Sequence, residues 1–231
     1  HPARFTGALV AGAEARGARL RIGVVERVLH RDGVAQGVTV NGETLAGDAV
    51  VLAMGPWTGR VAGRLLPNVH GLKGYSVTLD AGDMPPHALF VDYRTADGRA
   101  LEPEIFPRPD GEVYVCGMAD PAPLPDAPEG VAVSDAACDV LARAAGRVST
   151  ALAAARVTRR QACYRPVTDD GLPLIGRVPG LRGAYVATGH GPWGMLNAPA
   201  TGFVLAELIA DGAASLDLSA FDPARLPLAR V

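Results

Sequence analysis

The residues that could do chemistry are concentrated in two segments of the last third of the chain, residues 163–176 and 187–196. Both are rich in glycine, which lets backbone amides approach a ligand closely. Residues 184–188 have strand character and residues 197–211 are helix-forming, so the second segment is a loop that leads into a helix. A helix N-terminus behind such a loop suits an electron-rich, anionic edge of a ligand.

Arg165 is the candidate for binding a substrate, because a guanidinium presents a planar fork that matches a carboxylate. The alternative is a structural salt bridge with Asp169 or Asp170. His190 could hydrogen-bond to a ligand, and a structural histidine is the alternative there. The five histidines lack i, i+4 pairing, so no metal site is expected.

The order of these motifs resembles the C-terminal flavin-binding segment of the D-amino-acid oxidase-like family of FAD-dependent oxidoreductases, which includes glycine oxidase and sarcosine oxidase. The matching pattern is Arg-Pro, then Asp-Gly-x-Pro-x-Ile-Gly, then Ala-Thr-Gly-His-Gly and Gly-Met before a helix. Residues 48–57 look like the second part of the same family's FAD domain. The resemblance implies FAD as the cofactor.

The resemblance also implies roles for particular residues. Val25 would place its main chain against adenine, or be a plain strand residue. Gly55 and Trp57 would lie beside the cofactor, or form an ordinary turn and core. The glycine-rich loop would contact the flavin through its main chain, and Trp193 would form a wall of the pocket. The alternative is a generic glycine-rich loop with Trp193 in the core. The residues concerned are Gly189, Gly191, Trp193, Gly194, Met195 and Leu196.

Three further residues follow from the same resemblance. Relatives keep the segment of Lys73 and Tyr75 beside the flavin, which makes both candidates for a catalytic role. Cys163 lies where sarcosine-oxidase-like relatives attach the flavin covalently, but the residues after it differ, so a buried thiol near the flavin is expected instead.

The family's Gly-x-Gly-x-x-Gly turn, which holds the FAD pyrophosphate, does not occur in these 231 residues. The chain therefore resembles about the C-terminal 60% of a member. This observation supports an alternative function, in which the chain is a catalytically incompetent fragment, or a scaffold or binding subunit that needs another chain to complete the FAD site.

Composition limits the partners and the compartment. The chain is 48% hydrophobic, which is enough for a core, and its net charge of −2 is scattered, so neither nucleic acid nor a membrane is expected as a partner. Three widely spaced cysteines favour the reducing cytoplasm. An organelle remains open if a targeting segment lies in a missing N-terminus.

The pattern of elements predicts an α/β (α+β) fold with an inserted, mostly antiparallel sheet, and the resemblance implies that the remainder is a partial FAD/NAD(P)-binding dinucleotide fold. The expected parts are residues 1–70, 71–165 and 166–231. A helix is expected over 3–16, and strands are expected over 20–29, 34–40, 49–53, 75–79, 88–93, 104–106, 113–116 and 156–166. Asn41-Gly42 predicts a hairpin turn, and Ser134 can cap a helix that runs to about Ala145.

The leading hypothesis is an FAD-dependent oxidoreductase that oxidises a C–N bond of an amino acid or secondary amine. Arg165 would hold the substrate carboxylate. The protein would orient the reactants while the flavin reacts, so no dedicated acid–base pair is needed.

Overall fold

The computed structural model describes residues 1–229 and divides the chain into two compact units. The terminal unit is His1–His70 with the chain from Arg165 onward, and the inserted unit is Gly71–Tyr164. The expected second boundary, 165/166, lies one residue away from the observed one. The helices are α1 (Pro2–Glu14), α2 (Thr58–Ala62), α3 (Asp135–Val148), α4 (Thr150–Ala154) and α5 (Gly194–Ala210).

Strands of 2 to 12 residues make up the sheets of both units. They are β1 (Val25–Arg31), β2 (Val34–Val40), β3 (Glu43–Ala46), β4 (Val50–Leu52), β5 (His70–Asp80), β6 (Leu89–Phe90), β7 (Tyr93–Arg94), β8 (Ala100–Leu101), β9 (Glu104–Pro107), β10 (Glu112–Asp120), β11 (Arg156–Val167), β12 (Leu174–Arg177) and β13 (Ala184–Thr188).

The terminal unit contains two three-stranded sheets, β1-β2-β3 and β12-β13-β4. The first is an antiparallel meander whose second turn is the predicted Asn41-Gly42 pair, both residues with positive φ as a tight hairpin requires. In the second sheet β4 runs parallel to β13. Leu52 and Val186 from these two strands are buried in one hydrophobic core with Leu174.

The N-terminal helix and the strand after it agree with the prediction only in part. Helix α1 is present, but its apolar face is not buried among the described residues, and Leu9 is 48% exposed. The strand expected from Leu20 begins instead at Val25. Val25 pairs with Val40, the last residue of β2, and the chain then turns at Asn41 and Gly42. The residues before Val25 therefore have no strand beside them with which to pair.

The inserted unit is built on a five-stranded sheet of order β11-β5-β10-β9-β6, covered by α3. Ser134 caps α3 as predicted, because its hydroxyl oxygen accepts from the amide of Ala137 at 3.3 Å. Cys138 and Leu141 of α3 are fully buried against Val77 and Val113 of the sheet. Side chains from a helix and a sheet therefore share one core.

One strand prediction in the inserted unit is wrong. The single strand expected over residues 88–93 is two short strands, since β6 pairs with β9 whereas β7 pairs with β8. Val91 and Asp92 lie between them and change the direction of the chain. Within residues 1–229, no helix has both the length and the apolar character that crossing a membrane requires.

Candidate functional site

The glycine-rich loop joins β13 to α5 in the terminal unit. Gly189 and Gly191 both have positive φ, 80° and 56°. A β-carbon on Gly191 would meet nothing within 4 Å, whereas one on Gly189 would lie 2.8 Å from Thr168 Cγ2. Gly191 therefore faces open space, and Gly189 lets the loop pack closely against the preceding segment.

The first turn of α5 presents apolar side chains, and no side chain within residues 1–229 caps its N-terminus. Trp193 is 63% exposed and Leu196 is 73% exposed, and Met195 between them is also exposed. The helix has 17 residues and no acidic residue in its first turn. Its positive end is therefore available to an electron-rich group with a flat apolar body. A β-carbon added to Gly194 would lie 3.6 Å from His190 Cβ, an ordinary van der Waals distance.

The turn after β4 is fastened to the end of β13 through one carbonyl. Gly55 has φ 55°, and its carbonyl oxygen accepts from the hydroxyls of Thr58 at 2.7 Å and Thr188 at 2.9 Å. Both threonines are fully buried. Sequence reasoning identified Gly55 but missed these two threonines, since nothing local connects residues 130 positions apart.

Val25 and Trp57 lie in the same unit. Both are half-buried. Val25 begins β1 and packs against the core that contains Leu52. Trp57 ends the short turn that Gly55 begins. These positions are compatible with both of the interpretations given for each residue.

The carboxylates expected as alternative partners of Arg165 are bound elsewhere. Asp169 Oδ1 lies 2.6 Å from His70 Nε2. Asp170 accepts two hydrogen bonds from Arg225, at 2.7 and 2.9 Å, and this partner holds the pKa of its carboxyl well below the usual range. The half-buried Arg165 side chain forms no hydrogen bond or ion pair with any of residues 1–229. The salt-bridge alternative for Arg165 is therefore wrong.

Arg225 also fixes the turn that carries Asp170. Its Nη2 donates to the carbonyl oxygen of Leu172 at 2.7 Å, and the Thr168 hydroxyl donates to the same oxygen at 2.6 Å. The Asp-Asp-Gly turn could be recognised in the sequence. Its partner could not, because Arg225 comes from the last described segment of the chain.

His190 is held inside the loop. Its Nε2 lies 3.0 Å from the Thr201 hydroxyl oxygen on α5, and burial lowers the pKa of the imidazole. A neutral ring is therefore favoured at pH 7. This contact ties the loop to the helix and supports the structural alternative for His190.

In the inserted unit, Lys73 is buried without an anionic partner. Only 8% of the residue is exposed, and its Nζ lies 5.3 Å from the centre of the Tyr75 ring and 5.9 Å from that of Tyr164. Its ammonium makes no hydrogen bond or ion pair within the described chain. Aromatic faces compensate only part of the cost of burying a charge. Lys73 is thus suited to receive an anionic or electron-rich group.

The two tyrosines around Lys73 are each held by a hydrogen bond. The Tyr75 hydroxyl donates to Asp120 Oδ2 at 3.1 Å, and the Tyr164 hydroxyl donates to the carbonyl oxygen of Pro123 at 2.6 Å. Burial, together with the Asp120 hydrogen bond, raises the pKa of Tyr75. Sequence reasoning missed Asp120 and Tyr164, although Asp120 lies directly opposite Lys73 in the pairing of β10 with β5.

The expectation of a buried thiol at Cys163 is wrong, because Cys163 is exposed. Successive side chains of a strand point to opposite faces, and on β11 the inward position belongs to Tyr164.

An open glycine loop, a helix N-terminus without a side-chain cap and an unpaired guanidinium are features that suit a protein which binds a flavin-like cofactor and an anionic ligand. The chain belongs to the FAD dependent oxidoreductase family, whose model matches residues 1–208. The family resemblance, the fold class and FAD as the family's cofactor are therefore confirmed. The matches give no support to the alternative of a scaffold or binding subunit.

The chain is similar to several proteins of this family. It is 37% identical to the putative oxidoreductase TDA3 of Saccharomyces cerevisiae over 75% of this chain and 34% of that protein. It is 35% identical to a D-amino acid dehydrogenase of Cereibacter sphaeroides over 91% of this chain and 46% of that protein. The chain spans less than half the length of these two relatives.

The fold is that of a solved structure in the same family. Glycine oxidase from Geobacillus kaustophilus superposes with a TM-score of 0.80 and 27% identity, covering 95% of this chain and 57% of that one. The chain is therefore related in sequence and fold to amino-acid oxidases and dehydrogenases.

Proposed function

We propose that the protein uses FAD to oxidise a C–N bond in an amino acid or a secondary amine. The observation that carries the proposal is the half-buried Arg165, whose guanidinium has no carboxylate partner within residues 1–229 although Asp169 and Asp170 are close in sequence. A charge kept free in this way is available to a ligand carboxylate. The proposal is supported by the similarity to a D-amino acid dehydrogenase and a glycine oxidase.

The residues of the terminal unit fit the cofactor. Bound FAD would supply the redox chemistry, by accepting a hydride at N5 from the carbon beside the substrate nitrogen, after which water hydrolyses the imine product. Gly191 and Gly55 have open space where a β-carbon would stand. Contacts with FAD are proposed for Val25, Gly55, Trp57, Gly189, Gly191, Trp193, Gly194, Met195 and Leu196.

The backbone amides at the start of α5 would stabilise negative charge on the pyrimidine edge of the flavin, because the positive end of the helix dipole lies there. The exposed Trp193 and Leu196 would exclude water from that edge. His190, fastened to Thr201, would hold the loop in the conformation that these contacts require.

Arg165 would bind the substrate carboxylate with two parallel hydrogen bonds and so orient the reacting carbon. Lys73 would contact an electron-rich group through its ammonium, and Tyr75, kept protonated by its raised pKa, would maintain the aromatic face beside it. None of these residues needs to transfer a proton for hydride transfer to occur.

The experiment is anaerobic reduction of the flavin. Purified protein is saturated with FAD, desalted and mixed with D-amino acids, L-amino acids, glycine or sarcosine while the visible flavin band is followed. We expect the band to survive desalting and to bleach with at least one amino acid. Stable FAD binding without bleaching by any amino acid or amine would contradict the proposal.

A small amine or amino acid is the only partner that we propose.

The proposed location is the cytoplasm. Cys116, Cys138 and Cys163 are free thiols at wide spacing, which supports a reducing compartment. Fractionation of cells that express the tagged full-length protein tests the location, and recovery in an organelle fraction would contradict it.

A further inference from the structure

The inserted unit carries a groove of about 730 Å³, and none of its lining residues belongs to the site proposed for the flavin reaction. Its lining includes the half-buried apolar side chains of Val140, Ala142 and Ala155. It also includes three exposed arginines, Arg99, Arg143 and Arg147. We call it the arginine groove. The volume falls within the range of about 300–1,000 Å³ typical of small-molecule sites.

The three guanidiniums of the arginine groove form no ion pair and no hydrogen bond within residues 1–229. Other arginines of the inserted unit do find carboxylates. Arg160 pairs with Asp139 at 2.6 Å, and Arg156 pairs with Asp80 at 3.1 Å. The groove thus brings three unpaired guanidiniums to one lining, whereas Arg156 and Arg160 of the same unit each face a carboxylate.

Stabilisation of a helix end explains only part of this arrangement. Arg143 and Arg147 are four residues apart on α3, near its C-terminus, where a positive charge interacts favourably with the helix dipole. Arg99 comes from the turn before β8 and has no such function. Its presence in the same groove requires another explanation.

The one acidic side chain of the groove does not neutralise it. The Asp97 carboxylate accepts a hydrogen bond from the Thr95 hydroxyl, which lowers the pKa of Asp97, and Arg99 adds a smaller effect in the same direction. Asp97 is therefore ionised at pH 7, and three arginines against one carboxylate leave an excess of two positive charges.

We propose that the arginine groove binds a small amphipathic anion, with an apolar or aromatic body against the apolar lining and a phosphate or dicarboxylate head group at the arginines. Guanidinium groups bind both head groups through paired, charge-assisted hydrogen bonds. The half-buried side chains of Val140, Ala142 and Ala155 provide apolar surface from which the body displaces water. The site is independent of the proposed amine oxidation.

The test uses probes that separate the head group from the body. The full chain, saturated with FAD so that the cofactor site is occupied, is titrated by calorimetry with 1-naphthyl phosphate and with 1-naphthylmalonate. Inorganic phosphate and malonate serve as the matched head groups, and 1-naphthol serves as the matched body. We expect at least one amphipathic probe to bind about tenfold more tightly than either half, and the better one identifies the head group.

The variants locate the binding. Arg99→Gln and Arg143→Gln should each weaken the better probe by about tenfold, since each removes charge-assisted hydrogen bonds. Arg159→Gln is the matched control, because Arg159 is an exposed arginine of the same unit outside the groove. Equal losses in all three variants, or no binding of either probe, would overturn the proposal.

Discussion

Arg165 in the terminal unit and Lys73 in the inserted unit are both cations without an anionic partner in the described chain, but the two units keep them free in different ways. Arg165 stays free because the carboxylates of its own segment are occupied by His70 and Arg225. Lys73 stays free because aromatic rings cover it and the carboxylate opposite it on the sheet, Asp120, is bound to Tyr75.

The difference shows two ways in which a fold can leave a cation without an anionic partner. Either the nearby carboxylates bind to other residues, or aromatic rings cover the cation. The first device leaves the cation half in water, so its loss should matter for ligand binding more than for folding. The second device buries the cation, so the folded protein bears a cost that the aromatic rings offset only in part. Substitutions of Arg165, Arg225 and Lys73 separate these two cases, and a substitution of Gly189 tests the loop beside Arg165's segment.

The largest effect is expected from Arg165→Gln. Losing a bidentate, charge-assisted contact of about 3 kcal/mol should lower kcat/KM for an amino-acid substrate about 100-fold. Steady-state kinetics measure it, with Arg64→Gln, an exposed arginine of the same unit, as the control. The Arg165→Gln variant should oxidise an amine that has no carboxylate at nearly the wild-type rate. An equal loss for both substrates would contradict the role of Arg165 in binding a carboxylate.

Gly189→Ala should destabilise the terminal unit by about 2–3 kcal/mol, because the new methyl group meets Thr168 Cγ2 and the backbone has positive φ. Gly191→Ala is the matched control, with positive φ but open space, and should cost only about 1 kcal/mol. Urea unfolding measures both. Equal losses would show that the close packing at Gly189 is not what holds this loop.

Arg225→Gln tests the diversion of Asp170. The lowered pKa of Asp170 means that its ion pair stabilises the fold above the unfolded pKa of about 3.9 and that this stabilisation is lost as the pH falls below it. We expect Arg225→Gln to cost about 2 kcal/mol at pH 7, with the difference from wild type shrinking below about pH 4. A difference that does not depend on pH would contradict this assignment.

Lys73→Met should produce the smallest change in stability. Replacing a buried, unpaired ammonium with an apolar chain of similar length should leave the free energy of unfolding within about 1 kcal/mol of wild type, or raise it, while turnover falls. Tyr75→Phe removes the hydroxyl that donates to Asp120, and it should lower the free energy of unfolding by about 1 kcal/mol. A large loss of stability in Lys73→Met would make Lys73 a structural residue.

Much of the fold could be predicted because its signals are local. The Asn41-Gly42 hairpin, the Ser134 cap and the apolar strand before Gly189 depend on residues within a few positions of one another. Where the sequence misled, the deciding contact was distant. Residues 20–24 have strand composition, but they form no strand, because no neighbouring strand extends beside them.

The sequence by itself determined which residues offer chemistry: the guanidinium of Arg165, the ammonium of Lys73 and the glycines before α5. Only the tertiary structure decided which of them remain available. Whether a cation is free depends on which partner each nearby carboxylate binds. Asp170, for example, binds Arg225, which lies 55 positions away in the chain. Such pairings follow from packing, and packing is set by the whole core rather than by a residue's neighbours in sequence.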